Sequence, residues 1–238
     1  VKHLVEMAPP EAWGETFLYG VETYQPGRSM FVTHYATTEP PRFSVEGGIR
    51  SVVGAGIAQT TERQLRISEH FQHGTVGVDQ PVLLVLTPSV EDSSRTPEGK
   101  HMIKVISVHP YELHEGPEHW DTIKTEVAAR DLEELRKYAP NLTDEKILAT
   151  EIRSPLDLER INRHNWHGSC HGGDLSPAQS ETLRPVPGYA EHRMPIPGLY
   201  QTGSTTHPGG SVTGGPGRNA AIVLLKDLGR DFHELLAL

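Results

Sequence analysis

A glycine-dense loop that leads into a helix-like run constrains the fold of this chain more than any other feature. Residues 197–203 predict a turn followed by a short strand, and residues 204–217 then read STTHPGGSVTGGPG. Residues 218–228 predict a helix, with Gly229 placed to end it. The last forty residues therefore predict a strand, a glycine-rich loop and a helix in direct succession.

Such a loop allows the backbone to approach a ligand closely, because glycine has no Cβ atom. The N-terminus of the following helix offers free N–H groups and a partial positive charge. Together they suit a phosphate group, or the N1–C2=O edge of a flavin, which becomes electron-rich on reduction. A surface loop that only turns the chain fits the same spacing, so both interpretations stay open.

The same loop contains a match to the dinucleotide-binding pattern G-x-G-x-x-A, formed by Gly215, Gly217 and Ala220. That pattern needs a strand directly before it and an acidic residue about 20 positions later in one βαβ unit. Here a long loop comes before the match, and the chain ends soon after the helix. We therefore expect no NAD site at this position.

Composition narrows the class of partner. The 238 residues suffice for one large domain or two small ones. The 31 acidic and 22 basic residues give a net charge of -9, which disfavours nucleic acid as a partner. No apolar run approaches the roughly 20 residues of a membrane span. Cys170 is the only cysteine, which excludes an internal disulfide and leads us to expect a reducing, cytoplasmic location.

The rest of the chain predicts an α+β fold with a mixed or antiparallel sheet. Helices are expected over two ranges, 61–71 and 120–138, and strands over four, 30–38, 81–86, 101–108 and 146–152. The second and third strands are separated by turn-rich residues 93–99 and predict a hairpin. Regular β-α-β alternation is missing. Residues 154–197 are polar and irregular, and a loop of this length is usually functional or packed on a second body.

A histidine-rich segment, residues 164–174, contains His164, His167, Cys170 and His171. These side chains are zinc ligand types, but their spacing fits no standard zinc site and all four lie on one short loop. We therefore predict no metal site and keep a metal-dependent enzyme as a less favoured alternative. Cys170 is expected to be a packed small residue. Arg184 and Arg193 either bind an anionic substrate group or are solvated or structural, and a solvated or structural role is favoured.

Residues 199–212, continuing through Gly214 and Gly217 to Ala221, resemble the C-terminal signature of the phytoene desaturase and carotenoid isomerase-like FAD-dependent oxidoreductases. The similarity is greatest to the pyridine nucleotide-disulphide oxidoreductase domain 2 branch. Residues 84–100 are similar to the mid-domain strand and turn of that family, and residues 154–162 to the stretch before its active-site loop. The resemblance extends from about residue 30 to the end.

This resemblance implies a substrate-binding-type domain over 1–196, a C-terminal FAD-binding segment over 197–229, and a tail over 230–238. It implies FAD as the cofactor, contacted by the glycine-rich loop, with amides near Val212 and Thr213 at the flavin pyrimidine edge. The implied cofactor-binding residues are Gly203, Ser204, Gly209, Gly210, Ser211, Val212, Thr213 and Gly214. The candidate catalytic residues are His167, His171 and His207, for which hydrogen bonding to the backbone is an equally favoured role.

In that family an N-terminal glycine-rich βαβ unit holds the adenosine and pyrophosphate of FAD, and these 238 residues contain no such unit. We therefore expect a Rossmann-type half, supplied by another chain or by a missing N-terminal segment, to complete the C-terminal strand, loop and helix. The implied reaction moves hydride from a C–H bond of a small-molecule substrate to flavin N5. The alternative is a non-catalytic binding or assembly subunit.

Overall fold

The computed structural model of the protein describes residues 1–45, 48–77, 81–169 and 171–236, so the expectation for Cys170 lies outside the described residues. The helices are α1 (Pro10–Trp13), α2 (Glu15–Thr23), α3 (Thr61–His73), α4 (Trp120–Tyr138), α5 (Pro155–Ile161), α6 (Gly215–Asp227) and α7 (Phe232–Leu236). The strands are β1 (Met30–Thr37), β2 (Phe43–Val45), β3 (Gly48–Arg50), β4 (Gly54–Ile57), β5 (Leu83–Leu86), β6 (His101–Val108) and β7 (Ile147–Arg153).

The chain divides into two compact units. The terminal unit combines Val1–Arg28 with Arg163–Leu238, and the central unit is Ser29–Asn162. The predicted change of binding role at residue 197 falls inside the terminal unit. The predicted boundary separates a substrate-binding region from a cofactor-binding segment, and it stays a prediction.

The central unit is built on a five-stranded sheet in the order β4-β5-β6-β1-β7, as far as the described residues show. Each neighbouring pair of strands is antiparallel. The register places Leu84 opposite Ile106, and Ile106 opposite Val32. β5 and β6 form the predicted hairpin. Helices combined with an antiparallel sheet confirm the predicted α+β class for this unit.

Helix α4 covers one face of the sheet. Its Leu135 packs in one cluster with Ile103 and Val105 of β6, and its Val127 packs in a second cluster with Phe31 of β1. All five side chains are at most 3% exposed. Burying a side chain of this size contributes about 1.5–3 kcal/mol. The amphipathic pattern that predicted α4 is therefore the pattern of its contacts with the sheet.

The terminal unit has a core formed by α1, α2 and the later irregular segment. Its buried side chains are Trp13, Phe17, Val21, Val186 and Met194. Most of the chain between residues 163 and 214 forms short 3-10 turns and loops. The irregular stretch predicted over 154–197 is confirmed from residue 162 onward but is wrong at its start, where the Ser154 capping box begins helix α5. The irregular part packs against the N-terminal helices through Val186 and Met194.

The predicted strand in residues 197–203 is wrong. Within the described part of this segment, Tyr200 forms only an isolated bridge with Arg193. The left-handed glycines Gly198 (φ +80°) and Gly203 (φ +99°) bend the chain on both sides and leave little extended backbone between them. Helix α6 starts at Gly215, three positions before the predicted start, because Pro216 suits a first helical turn.

Candidate functional site

The loop between Gly203 and Gly214 has an unusual backbone. Gly203, Gly209 and Gly214 have φ values of +99°, +104° and +71°, and the non-glycine residues Ser211 and Val212 have φ values of +89° and +55°. A β-branched residue in this region is a conformational outlier. The Val212 side chain is fully exposed, so packing within the described structure does not explain its conformation. Backbone strain of this kind is concentrated at binding and switch sites.

Helix α6 begins directly at the end of this loop. Its N-cap, Gly214, has no side chain to cap the helix, and the Thr213 hydroxyl accepts the N–H of Gly215 at 3.1 Å. A Cβ atom added to Gly214 or Gly217 would meet none of the described atoms within 4 Å. The positive end of the helix therefore lies beside open, exposed backbone and suits a negatively charged group.

The other end of α6 is anchored by ion pairing. Arg193 donates to both carboxylate oxygens of Asp227, at 2.8 and 2.7 Å, and the Tyr200 hydroxyl donates to Asp227 at 2.6 Å. These donors, Arg193 first, lower the pKa of Asp227 to about 2. The contacts join α6 to the bridge between Arg193 and Tyr200. The structural role favoured for Arg193 is confirmed.

Arg184 is 1% exposed and its guanidinium group contacts main-chain oxygens. Nη2 donates to Ser204 at 2.6 Å and to His171 at 3.1 Å, and Nη1 donates to Asp174 at 2.9 Å. Longer bonds reach Gly173 and Gln179. Arg184 thus ties the histidine-rich segment to the start of the glycine-rich loop, and the favoured structural role is confirmed for it as well.

The histidine-rich segment and the glycine-rich loop approach each other closely at two glycines, Gly172 and Gly210. A Cβ atom on Gly172 would lie 2.6 Å from the main-chain oxygen of Ser204. A Cβ atom on Gly210 would lie 2.8 Å from Nδ1 of His171. Any side chain at either position would force the two segments apart, so the close approach requires glycine. The predicted catalytic and cofactor segments are therefore in direct contact.

A cavity of about 480 Å³ lies in the terminal unit. The glycine-rich loop contributes Gly203 and Ser204 to its wall, and the histidine-rich segment contributes His164 and Trp166. The other lining residues are Val1, Lys2, His3, Leu4, Met7, Tyr24, Ser169, Gly172, Gln201, Thr202 and Thr205. Two of the eight predicted cofactor residues thus line the cavity, and the six from Gly209 to Gly214 lie outside this lining.

The three candidate catalytic histidines have different surroundings, and none of them is among the described residues that line this cavity. His171 lies against Gly210. His167 has a left-handed backbone (φ +51°), and its ring centroid is 4.5 Å from that of Trp166. The main-chain oxygen of His207 accepts a bond from Asn219 of α6 at 3.4 Å. Their acid–base role stays a prediction.

Several lining residues were not singled out from the sequence, among them Tyr24 and Gln201. Tyr24 is far from the loop in sequence and belongs to no motif, so nothing could have found it. Gln201 lies inside the quoted signature. Its Nε2 atom donates to the Thr205 hydroxyl at 3.0 Å, while its buried Oε1 atom has no hydrogen-bond partner among the described residues. An unpaired buried acceptor in a cavity wall is suited to a ligand that donates a hydrogen bond.

The central unit contains a buried polar chain that the sequence did not indicate. The Ser107 hydroxyl donates to Asp131 at 2.7 Å and lies 3.1 Å from Nε2 of His109. Burial raises the pKa of Asp131 to about 7, against the effect of the Ser107 hydrogen bond. Burial lowers the pKa of His109 to about 3. Both groups are therefore largely uncharged in the folded protein at slightly acidic pH.

Two further features are missing from the part of the chain that the structure describes. In that part no three His, Cys, Asp or Glu side chains are grouped so that they could hold a metal ion. Over the same residues, no helix combines the length and the apolar character of a membrane span.

No protein-family model matches the chain. Over 170 residues it is 35% identical to pyridine nucleotide-disulfide oxidoreductase domain-containing protein 2 of Mus musculus, a match covering 70% of this chain and 29% of the relative. Over 207 residues it is 26% identical to a limonene dehydrogenase subunit of Castellaniella defragrans, a match covering 84% of this chain and 37% of that relative. Over 128 residues it is 28% identical to chloroplastic prolycopene isomerase of Arabidopsis thaliana, a match covering 52% of this chain and 20% of that relative.

A solved oxidoreductase structure from Methanosarcina mazei is similar to this chain, with a TM-score of 0.45 and 13% sequence identity. The match covers 94% of this chain and 39% of the chain in that structure. The chain spans 29% of the length of the Mus musculus relative and 37% of the length of the Castellaniella defragrans relative. The Mus musculus and Arabidopsis thaliana relatives carry the names that the signature of residues 199–221 led us to expect. The chain belongs to the phytoene desaturase and carotenoid isomerase-like oxidoreductase family.

Proposed function

We propose that this chain is the C-terminal half or a subunit of an FAD-dependent oxidoreductase of the dehydrogenase or desaturase type. The observation that carries the proposal is the loop at Ser211 and Val212, which is strained and exposed and leads directly into α6, whose N-cap residue Gly214 has no side chain. The oxidoreductase names of the sequence relatives support the reaction class. Packing within the described structure does not explain this backbone strain, and the strained residues lie beside a helix N-terminus. Both features support a bound ligand at this loop.

The residues at this site fit a flavin. A Cβ atom on Gly203 or Gly214 would meet none of the described atoms within 4 Å, so a ligand has access to the backbone there. Residues 211–214 are exposed, and their backbone groups are available to a planar ring edge. Gly209 is buried and Gly210 packs on His171, so these two would shape the loop. The residues that would hold FAD are Gly203, Ser204, Gly209, Gly210, Ser211, Val212, Thr213 and Gly214.

When bound, the flavin supplies at N5 the acceptor for a hydride from a substrate C–H bond. The part of α6 in this reaction is electrostatic, because its N-terminus lowers the energy of negative charge placed beside it. Arg184 keeps the two ligand-facing segments together through its bonds to Ser204 and His171. Among the candidate histidines, His171 is the one held against the glycine-rich loop, and we propose it as the polar group that orients the substrate or moves a proton.

The proposed partner is a Rossmann-type half that binds the adenosine and pyrophosphate of FAD. Two observations support it. The chain spans only 29% of the length of the Mus musculus relative and 37% of the length of the Castellaniella defragrans relative, and the second of these is named as a subunit. A small molecule is the proposed substrate. The single cysteine supports a cytoplasmic location.

The test is a visible absorption spectrum of the protein purified from its native source, together with the intact mass of every chain that co-purifies. We expect flavin absorption and a Rossmann-bearing partner, as a second chain or as an N-terminal extension of this one. A colourless protein that is pure and carries no such half would contradict the proposal. That result would favour the non-catalytic binding subunit.

A further inference from the structure

The cavity of the terminal unit is basic in an acidic protein. The whole chain has 31 Asp and Glu against 22 Lys and Arg, yet none of the fifteen described residues that line the cavity is acidic. Lys2, His3 and His164 line it, together with Ser204 and Thr205, whereas the hydroxyl of the lining residue Ser169 already donates to the main-chain oxygen of Gly172. The wall therefore offers positive charge and hydroxyl groups, one unpaired acceptor in Oε1 of Gln201, and no carboxylate among its described residues.

A second positive charge lies behind this wall. The Arg184 guanidinium is buried, and the partners of its hydrogen bonds in the described structure are main-chain oxygens. Carbonyl dipoles solvate a buried charge without neutralising it. Ser204 accepts one of these bonds and also lines the cavity. The Arg184 charge also acts on Tyr24, which lines the cavity. Burial raises the pKa of the Tyr24 hydroxyl, and the positive charge of Arg184 opposes that rise.

Of the neighbouring acidic groups, Glu22 acts on Lys2 and Asp174 acts on Tyr24, but neither of them lines the cavity. Nδ1 of His3 is 2.8 Å from the Glu6 carboxylate, which also pairs with Arg163, so this cluster balances itself. The Lys2 ammonium donates to the main-chain oxygen of Glu22 at 2.7 Å. It lies 4.6 Å from the centroid of the Trp166 ring. Lys2 thus keeps a positive charge beside an aromatic face in the cavity wall.

The rest of the lining combines the polar residues Gln201 and Thr202 and two glycines with apolar and aromatic side chains. Leu4, Met7 and Trp166 form an apolar surface beside the basic groups. A volume of about 480 Å³ lies within the range of small-molecule sites. A single ammonium with separate hydroxyl donors matches a singly charged head group better than a phosphate, for which forked or clustered donors are typical.

We propose that this cavity binds a small organic carboxylate, with its apolar or aromatic body on Trp166 and its carboxylate towards Lys2 and the Arg184 side of the wall. As the substrate class of the enzyme, the assignment rests on the proposed function. As a carboxylate site, it rests on the charge and shape of the cavity alone.

Isothermal titration calorimetry of the full-length chain with its co-purifying half tests this site. The probes are 4-phenylbutyrate, its neutral amide, and inorganic phosphate. We expect one site for the carboxylate, at least about tenfold weaker binding of the amide, and no binding of phosphate at the same concentrations. Lys2→Gln should weaken the carboxylate about five- to tenfold, whereas Lys100→Gln, in an exposed turn of the central unit, should not change it. Equal binding of carboxylate and amide, or binding of neither, would overturn the proposal.

Flavin absorbance recorded on the same samples separates the two proposals. Carboxylate binding by a protein without flavin would contradict the flavoprotein assignment and leave the carboxylate site supported. A flavin-containing protein that does not prefer the carboxylate would contradict only the site. Displacement of the flavin by the probe would assign the cavity to the cofactor and overturn the substrate assignment.

Discussion

Nη2 of Arg184 donates a 2.6 Å hydrogen bond to the main-chain oxygen of Ser204, 20 residues further along the chain. The same nitrogen donates to His171 at 3.1 Å. One buried side chain therefore fixes the distance between the histidine-rich segment and the glycine-rich loop. These two segments carry the proposed substrate and cofactor contacts, so their geometry depends on a residue that need not touch either ligand.

Arg184→Lys should lower the free energy of unfolding by about 3 kcal/mol, because a lysine cannot replace the planar set of bonds and leaves buried carbonyl groups unpaired. Urea unfolding measures the effect. Arg95→Lys, at an exposed position paired with Asp92, is the matched control and should change stability by less than about 0.5 kcal/mol. Similar values for the two variants would show that the Arg184 contacts do not hold the terminal unit together.

Two glycines that differ in their surroundings give a paired prediction. A Cβ atom on Gly173 would lie 2.2 Å from Tyr24 and 2.3 Å from Gln179, so Gly173→Ala should destabilise the protein by about 2–3 kcal/mol. Gly217 lies within α6 and a Cβ atom there would meet none of the described atoms within 4 Å, so Gly217→Ala should stabilise it by up to about 1 kcal/mol. Thermal unfolding distinguishes the two signs. A Gly173→Ala variant that is not destabilised would refute the packing at Gly173, and a destabilised Gly217→Ala variant would refute the open space at Gly217.

Val212 tests the strain in the loop. Its side chain is fully exposed and its φ is +55°, so Val212→Asn removes no packing and favours the left-handed conformation. We expect a gain of about 0.5–1 kcal/mol in chemical unfolding. Val212→Ile keeps the β-branch and should leave the stability unchanged. A loss of stability in the asparagine variant would mean that the valine side chain has a packing partner.

The buried Asp131 predicts a dependence of stability on pH. Its pKa of about 7 in the folded protein lies above the ordinary value of 3.8. The folded state therefore holds a proton that the unfolded state has released between about pH 4 and pH 7. The resulting stabilisation is complete below about pH 4 and is lost as the pH rises through about 7. It is on the order of 4 kcal/mol.

Asp131→Asn removes this dependence, so the variant should gain stability relative to the wild type between pH 4 and pH 8, measured by urea unfolding. His109 has a lowered pKa of about 3 and acts in the opposite direction, losing stabilisation as the pH falls below about 6.5. Its contribution cancels because both proteins retain His109. Parallel curves for the two proteins would contradict a protonated Asp131.

The sequence predicted those elements whose stability comes from regular periodicity. Helix α4 and strand β6 have the predicted bounds, because their apolar residues repeat with the helical or strand period and pack on one core. The strand near Tyr200 was predicted wrongly, since local propensity cannot reveal whether a neighbouring strand exists. The role of Arg184 depends on carbonyl groups up to 20 residues away in sequence. No local pattern encodes such contacts, nor the cavity that Tyr24 and Ser204 share.

A cofactor contact at the glycine-rich loop is tested by the flavin content of the purified complex carrying Gly203→Ala, compared with Gly99→Ala. Both glycines have positive φ values, +99° and +68°, and a Cβ atom at either would meet none of the described atoms within 4 Å, so both substitutions strain the backbone in open space. Of the two, Gly203 begins the glycine-rich loop, and Gly99 lies in an exposed turn of the central unit. We predict that Gly203→Ala lowers the ratio of bound flavin to protein while Gly99→Ala keeps the wild-type ratio. Equal flavin content in both variants would contradict a cofactor contact at the glycine-rich loop.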